Sequence, residues 1–443
     1  MSPRGLGEHR PLQGEDEMDR TNMPSAPEAE ADATPAIDWS RHPTTARNMG
    51  LGNGDAAASD YASPAHFERE RERIYRRAWL MVARVEEVAN PGDYIMRTIP
   101  TLDASVVIAR GKDDVVRAFH NSCSHRGVAL VCEAKGNALT FRCPYHAWVY
   151  GIDGALRAIP AEKEFPHVDK AQNGLTPIAL DIWDGFVFLN FAETPETSLR
   201  EFLAGLDTVL DGMPFEDYPF LIRYEEDAAA NWKLLVNAFN EGYHIPFLHP
   251  KTLGPQLLTN DNPFMQYHDI RRFGPHSSST LQRNYDWTPD QPVLQFAIAH
   301  MLPTSVPDLE AIAAGRGLTS HPGINVVKIP NFGTEVVTIF PNVILQPLAN
   351  GYLLFIFWPT SADRMKVDVR VYSKNAPGGL REEFAAANML AATRDVLTED
   401  ISMSMVQQKG LNGGAKDRVF FGENEAHLRF FTRATEQFMA GNG

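Results

Sequence analysis

Two loops in the first half of this 443-residue chain each carry one cysteine and one histidine, as Cys123-x-His125 and Cys143-x-x-His146, with seventeen residues between them. Thiolate and imidazole are soft donors that suit transition metals. The spacing therefore asks for two turns at the tips of a small β-domain, converging on one centre. The third cysteine, Cys132, has no partner in this pattern and reads as a buried small hydrophobe. Three cysteines cannot build a disulfide scaffold and suit a reducing compartment.

Composition narrows the classes further. With 44% hydrophobic and 22% charged residues the chain is of ordinary globular type, which excludes collagen-like, coiled-coil and wholly disordered readings. A net charge of −15 without a basic patch argues against a nucleic-acid partner. No run of apolar residues is long enough for a bilayer-spanning helix, so no membrane association is expected. Residues 1–13 lack the apolar core of a signal peptide, and the expected location is the cytoplasm.

The length allows two or three domains. Residues 1–60 are poor in large apolar side chains and rich in Ala, Pro, Gly and acids, which predicts a disordered or extended arm. Ser63 followed by Pro64 looks like a helix start, and a charged helix is expected within 61–80. Residues 81–192 carry short β-branched and aromatic runs, such as 103–110 and 186–191, with a turn at Gly111-Lys112-Asp113. This is a small all-β domain. Residues 193–443 are mixed. Helices are expected at 199–210 and 233–241, a strand meander over 335–372, and a long helix over 380–408 stopped by Gly410. An antiparallel sheet wrapped on a long C-terminal helix makes this half α+β.

Three readings of the cysteine–histidine loops compete. They are structural loop residues, a Cys2His2 zinc site, or a Rieske [2Fe–2S] cluster, in which two cysteines hold one iron and two histidines the other. The third accounts for one thiolate and one imidazole in each loop.

A second constellation lies in the segment NWKLLVNAFNEGYHIPFLHP, which holds Glu241, His244 and His249. Glu241 and His244 are three apart and would share a helix face. Pro246 would break that helix and let the chain bring His249 back to the same metal. Two histidines and one carboxylate form the facial triad of non-heme Fe(II) oxygenases. The carboxylate candidates are Glu241, Asp395, Glu399 and Asp400, and spacing does not choose among them. Asp400 neighbours the apolar stripe of the long helix marked by Leu390, Leu397 and Ile401.

In this order and separation both constellations resemble the large (alpha) subunit of the Rieske non-heme iron, aromatic ring-hydroxylating oxygenases, over residues 61–431. The resemblance implies an all-β Rieske [2Fe–2S] domain at 81–192 and a helix-grip, mononuclear iron catalytic domain at 193–443. It implies Cys123 and Cys143 on one iron of the cluster and His125 and His146 on the other. It places His244 and His249 on the mononuclear Fe(II), and Asp400, within TEDISMSMVQQ, at the family's ligand position. Glu241 takes the place of the family's bridging acid, often Asp, which links His146 of one subunit to His244 of the next in a trimer. The Glu-Gly-Tyr-His form is similar to members without a small beta subunit, which implies a homotrimer. The implied activity is a terminal oxygenase that uses O2 and draws electrons through the Rieske cluster and Glu241. The chain lacks a Gly-rich dinucleotide fingerprint and a ferredoxin cysteine run, so NAD(P)H enters indirectly, through a separate reductase with or without a ferredoxin.

The expected substrate is a small apolar aromatic or alicyclic compound, in keeping with aromatic hydrocarbon catabolism. Segments 234–239, 253–273, 294–302, 336–345 and 355–358 are expected to wall its pocket, and they are rich in Phe, Leu, Ile and Met. A quaternary amine would want an aromatic cage. A charged acid would want an arginine clamp, for which Arg271 and Arg272 are available. O- or N-demethylating monooxygenation is the alternative within the enzyme class. A non-catalytic Rieske electron-transfer protein is the alternative outside it.

Overall fold

The computed structural model describes residues 42–441 apart from 53, 290–291, 293–294, 296–316, 349–350 and 375. Most of the expected arm, residues 1–41, and the expected pocket segment 294–302 lie outside the described residues, apart from position 295. No described helix is long and apolar enough to cross a membrane.

The β-rich half is an antiparallel sheet in the order Leu80–Arg84, Phe186–Asn190, Pro177–Trp183, Val116–His120, Ala104–Arg110, Asp93–Ile99 and Lys135–Asn137. Ala104–Arg110 and Val116–His120 form the hairpin expected around residues 111–113. A smaller sheet, Thr140–Arg142, Val149–Gly151 and Leu156–Ala158, stands beside it. Val107, Phe119, Phe141, Trp148 and Tyr150 form a core of their own here, and Cys123 and Cys143 belong to it. The two cysteine loops are thus the ends of strands whose inward residues pack together.

The second half is built on another antiparallel sheet, in the order Phe220–Ala228, Arg364–Ser373, Gly351–Ser361, Val343–Leu348, Phe332–Ile339, His276–Gln282 and Asp269–Phe273. The helix Trp232–Phe239 lies against its central strands Gly351–Ser361 and Val343–Leu348, with Leu235 and Val236 fully buried. The long helix Leu380–Asn412 packs on the Trp232–Phe239 helix and on Ser59–Ala62. Its apolar stripe is real, with Leu397 and Ile401 buried, and it carries buried Asp400 beside them.

Several local expectations differ from the structure for identifiable reasons. The helix expected over 199–210 is two pieces, Leu199–Leu203 and Leu206–Val209, because Ala204 and Gly205 adopt left-handed backbone. Gly410 does not stop the long helix, which continues to Asn412 with Gly413 as its cap. A single helical glycine costs about 1 kcal/mol, too little to end a helix held by packing. Residues 42–52 and 54–57, grouped with the arm by composition, are packed. Thr44 donates to the Tyr267 carbonyl at 2.9 Å, Ala46 and Leu51 bury against Ala426, and Asp55–Ala57 pairs with Arg418–Phe420. Backbone pairing and small apolar residues hold this strap, and an average over sixty residues conceals both. Cys132 is exposed rather than buried.

Ser63 caps the helix Pro64–Glu70 as expected, accepting from the His66 N–H at 3.3 Å. Glu70, fully buried, then accepts from Trp232 Nε1 at 3.0 Å and pairs with Lys233. This ion pair ties the N-terminal helix to the start of the helix that precedes the second constellation.

Two candidate metal centres

The two cysteine loops are built alike. Cys123 N–H donates to the Val128 carbonyl at 2.9 Å and Gly127 N–H donates back to Cys123 at 2.8 Å. In the second loop Cys143 N–H donates to Trp148 at 2.8 Å and Ala147 N–H donates back to Cys143 at 3.0 Å. The fourth residue after each cysteine, Gly127 and Ala147, has left-handed backbone (φ 74° and 57°). Two matched knuckles therefore face each other at one end of the small domain.

Their side chains converge. Both cysteines are buried, and the rings of His125 and His146 have centroids 4.6 Å apart. His125 stacks on Trp148 at 4.9 Å, which fixes its plane. The Nδ1 atoms of His125 and His146 are buried and hydrogen-bond to nothing in the protein. Burying such a nitrogen without a partner is unfavourable, so the pair calls for a group between them. Burial pushes the Cys143 thiol up, but the backbone N–H groups of His146 and Tyr145, with Cys123, more than offset it and leave it lowered. That favours the thiolate a metal needs. Tyr150 was not singled out in the sequence. Its hydroxyl lies 3.2 Å from Cys123 Sγ and accepts from Ser124 N–H at 2.9 Å. The available signal was its position on the strand directly after the second loop.

The second site is organised by helix ends. The Trp232–Phe239 helix stops at Asn240, so Glu241 and His244 do not share a helix face as expected. Glu241 instead folds over the turn: Oε2 accepts from His244 N–H at 3.1 Å, and Oε1 meets His244 Nδ1. Pro246 does not break a helix either. It sits in the first turn of a new one, Ile245–Leu248, where proline lacks no needed donor. His244 and His249 flank that single turn, with ring centroids 5.1 Å apart.

Asp400 closes the group. Its Oδ1 is 3.0 Å from His249 Nε2 and 3.6 Å from His244 Nε2. One donor atom from each of the three residues lies within 4.8 Å of the others, close enough to hold one ion. Of the other carboxylate candidates, Asp395 is exposed, Glu241 is on the Nδ1 edge of His244, and Glu399 is 2.6 Å from His249 Nδ1. Burial pulls the His249 imidazole down, and its bonds to Asp400 and Glu399 more than offset this, leaving it raised. Burial, and then the charge of Glu241, push the Glu425 carboxyl up.

A family model described as Rieske [2Fe–2S] domain matches residues 78–172, and one described as ring hydroxylating alpha subunit (catalytic domain) matches residues 215–441. The chain belongs to the ring-hydroxylating alpha-subunit family. Its two domains are those that hold a Rieske cluster and a mononuclear iron, and the donor sets fit both. The orphaned Nδ1 pair with two buried thiols suits the cluster, and the His244, His249 and Asp400 group suits the single ion. The carnitine monooxygenase oxygenase subunit of Acinetobacter pittii is 35% identical over 193 residues, 43% of this chain and 51% of the relative. The chain thus spans about half the length of the curated relatives it matches in this way. The glycine betaine monooxygenase oxygenase subunit of Pseudomonas aeruginosa is 26% identical over 364 residues, 80% of this chain and 82% of that protein. Among solved structures, a quaternary ammonium Rieske monooxygenase superposes with TM-score 0.70 at 22% identity, covering 88% of this chain and 97% of the other. Naphthalene 1,2-dioxygenase from Rhodococcus sp. does so with TM-score 0.66 at 20% identity, covering 88% and 95%. At these identities the likeness is one of fold.

Proposed function

We propose that this protein is the oxygenase component of a two- or three-protein system and that it monooxygenates a small quaternary ammonium compound. The observation that carries the oxygenase reading is the presence, in one chain, of the two-knuckle site and the His244, His249 and Asp400 group, with Glu241 bound to His244. When bound, the cluster supplies single electrons and the mononuclear iron supplies the centre for O2 activation. Cys123, Cys143, His125 and His146 would hold the cluster. His244, His249 and Asp400 would hold the iron.

The chain's own residues set the geometry. Glu241 keeps the His244 proton on Nδ1, which leaves the Nε2 lone pair facing Asp400. A carboxylate has lone pairs to spare for an imidazole of a neighbouring copy. Large aromatic residues stand exposed beside both sites: Tyr145, in tilted contact with His146, and Tyr243 and Phe247, which pack edge-on to each other next to His244. Such surfaces suit burial between subunits. They support a homotrimer in which His146 of one copy meets Glu241 of the next.

The substrate class follows the carnitine and glycine betaine relatives. Hydroxylation of an apolar ring is the second reading, resting on the Phe, Leu, Ile and Met content of the expected pocket segments. Arg271 does not serve as a substrate clamp. It is bound to buried Glu335 at 2.6 Å and to the Gly323 carbonyl at 2.8 Å. The deciding experiment measures O2 uptake coupled to NADH through a surrogate reductase, with quaternary amines and aromatic compounds in turn. A quaternary amine should stimulate uptake and yield a product with one labelled oxygen from labelled O2. Stimulation by ring compounds alone, with two labelled oxygens, would replace the substrate reading. A colourless protein containing zinc would remove the oxygenase reading.

A further inference from the structure

The two histidines of the second site each have their own acid. His244 Nδ1 is held by Glu241, and His249 Nδ1 lies 2.6 Å from Glu399 Oε2. Glu399 directly precedes Asp400 on the long helix. Adjacent residues of one helix therefore reach opposite edges of one imidazole: Asp400 Oδ1 is 3.0 Å from Nε2, and Glu399 Oε2 is on Nδ1. The ring between them is fully buried.

A neutral imidazole carries one proton, and an ionised carboxylate accepts but cannot donate. With an ion between His249 and Asp400, Nε2 must be bare, and Glu399 on Nδ1 holds the ring's one proton on the opposite nitrogen, leaving the Nε2 lone pair for the ion. Thr252 donates its hydroxyl to the same Glu399 oxygen at 2.7 Å. Thr252 follows His249 by three residues, so histidine, acid and hydroxyl close a loop that joins the segment after the single helical turn to the long helix.

We propose that Glu399 is a positioning residue for the mononuclear metal, fixing the tautomer and ring plane of His249, with Thr252 holding Glu399 in place. This rests on the reading of His244, His249 and Asp400 as the metal site. The sequence left Glu399 among the candidate ligands; the geometry assigns it to the far edge of the ring. Partners of this kind orient ligands and raise their basicity, and their loss weakens metal binding by about 10–100-fold.

The test is Co(II) titration, followed by visible absorption, of protein stripped of mononuclear metal but retaining its cluster. Wild type, Glu399→Gln, Glu399→Ala and Thr252→Val are compared, and the cluster absorption in each sample reports the fold. Glu399→Ala should raise the Co(II) Kd by about 10–100-fold. Glu399→Gln should raise it less, because its carbonyl still accepts from Nδ1–H, and Thr252→Val should raise it by a few-fold. An unchanged Kd in Glu399→Ala with intact cluster absorption overturns the proposal. If Glu399→Ala loses its cluster absorption, wild-type affinity in both Glu399→Gln and Thr252→Val overturns it. Wild-type protein that takes up no Co(II) overturns the metal-site reading and the positioning role with it. Unchanged variants beside a tight-binding wild type remove the positioning role alone.

Discussion

His427 makes the stability of this fold depend on pH in a calculable way. Its ring is 1% exposed and lies between two serines of the strand His276–Gln282: Nε2 meets Ser277 Oγ, and Nδ1 is 2.9 Å from Ser279 Oγ. Burial drives its pKa from the ordinary 6.5 down to about 3. The folded protein therefore keeps this imidazole neutral in a range where the unfolded chain protonates it. Where the unfolded state binds more protons, stability falls as pH falls. The loss begins near pH 6.5, the unfolded value, and continues down to the folded one. One pH unit below 6.5 it amounts to about 1.4 kcal/mol. His276, also lowered by burial, to about 4, adds a similar slope, but that slope is common to wild type and variant and cancels in their comparison. The assay is urea unfolding of wild type and His427→Gln at pH 7.5 and 5.5. On acidification wild type should lose about 1.4 kcal/mol more than the variant. Equal losses would show that His427 is protonated in the fold and would refute the argument.

Asp400→Ala should lower iron from about three to about two per chain while leaving the cluster absorption unchanged; unchanged iron content would assign the ligand to another acid. Glu241→Gln should retain both metals by iron analysis and still slow substrate-dependent O2 uptake at least about tenfold, and near-normal turnover would remove the bridging role. Lys233→Met, which leaves buried Glu70 without its cation, should destabilise the protein by about 3–5 kcal/mol, measured by urea unfolding. A smaller loss would mean that Trp232 Nε1 and His66 Nε2, the latter 3.2 Å from Glu70 Oε1, satisfy Glu70 between them.

Legibility in the sequence followed how local each feature is. The cysteine–histidine loops could be read because four rare donors at fixed spacing leave little else for two short loops to do. The strands of the catalytic sheet were readable where an apolar run is unbroken, as in Gly351–Ser361, and were not where charges interrupt it, as in Phe220–Ala228. Which carboxylate joins His244 and His249 could not be read from spacing. Asp395, Glu399 and Asp400 share one helix, and which of them faces the histidines depends on how that helix is rotated against the Trp232–Phe239 helix. Tertiary packing of Leu397 and Ile401 sets that rotation. The strap before residue 58 escaped for another reason, since a few residues, Thr44, Ala46 and Leu51, and the pairing of Asp55–Ala57 with Arg418–Phe420 hold it rather than a run of large apolar side chains.

The break in helix between Phe239 and Ile245 is what brings the site together. A continuous helix through residues 232–249 would place His244 and His249 five positions apart, about 140° around the axis, on different faces. The chain avoids this by ending one helix at Asn240 and starting another at Ile245, with Pro246 in its first turn. The gap gives Glu241 room to fold back onto His244, and the single turn brings His249 Nε2 alongside Asp400. Helix Trp232–Phe239 supplies the fixed end, held on one side by the sheet and at its start by Glu70 bonded to Trp232 and Lys233. Placement of the two imidazoles thus depends on a break in secondary structure anchored to a buried ion pair, and a substitution that extended the helix through Asn240 would separate the donors without altering any of them.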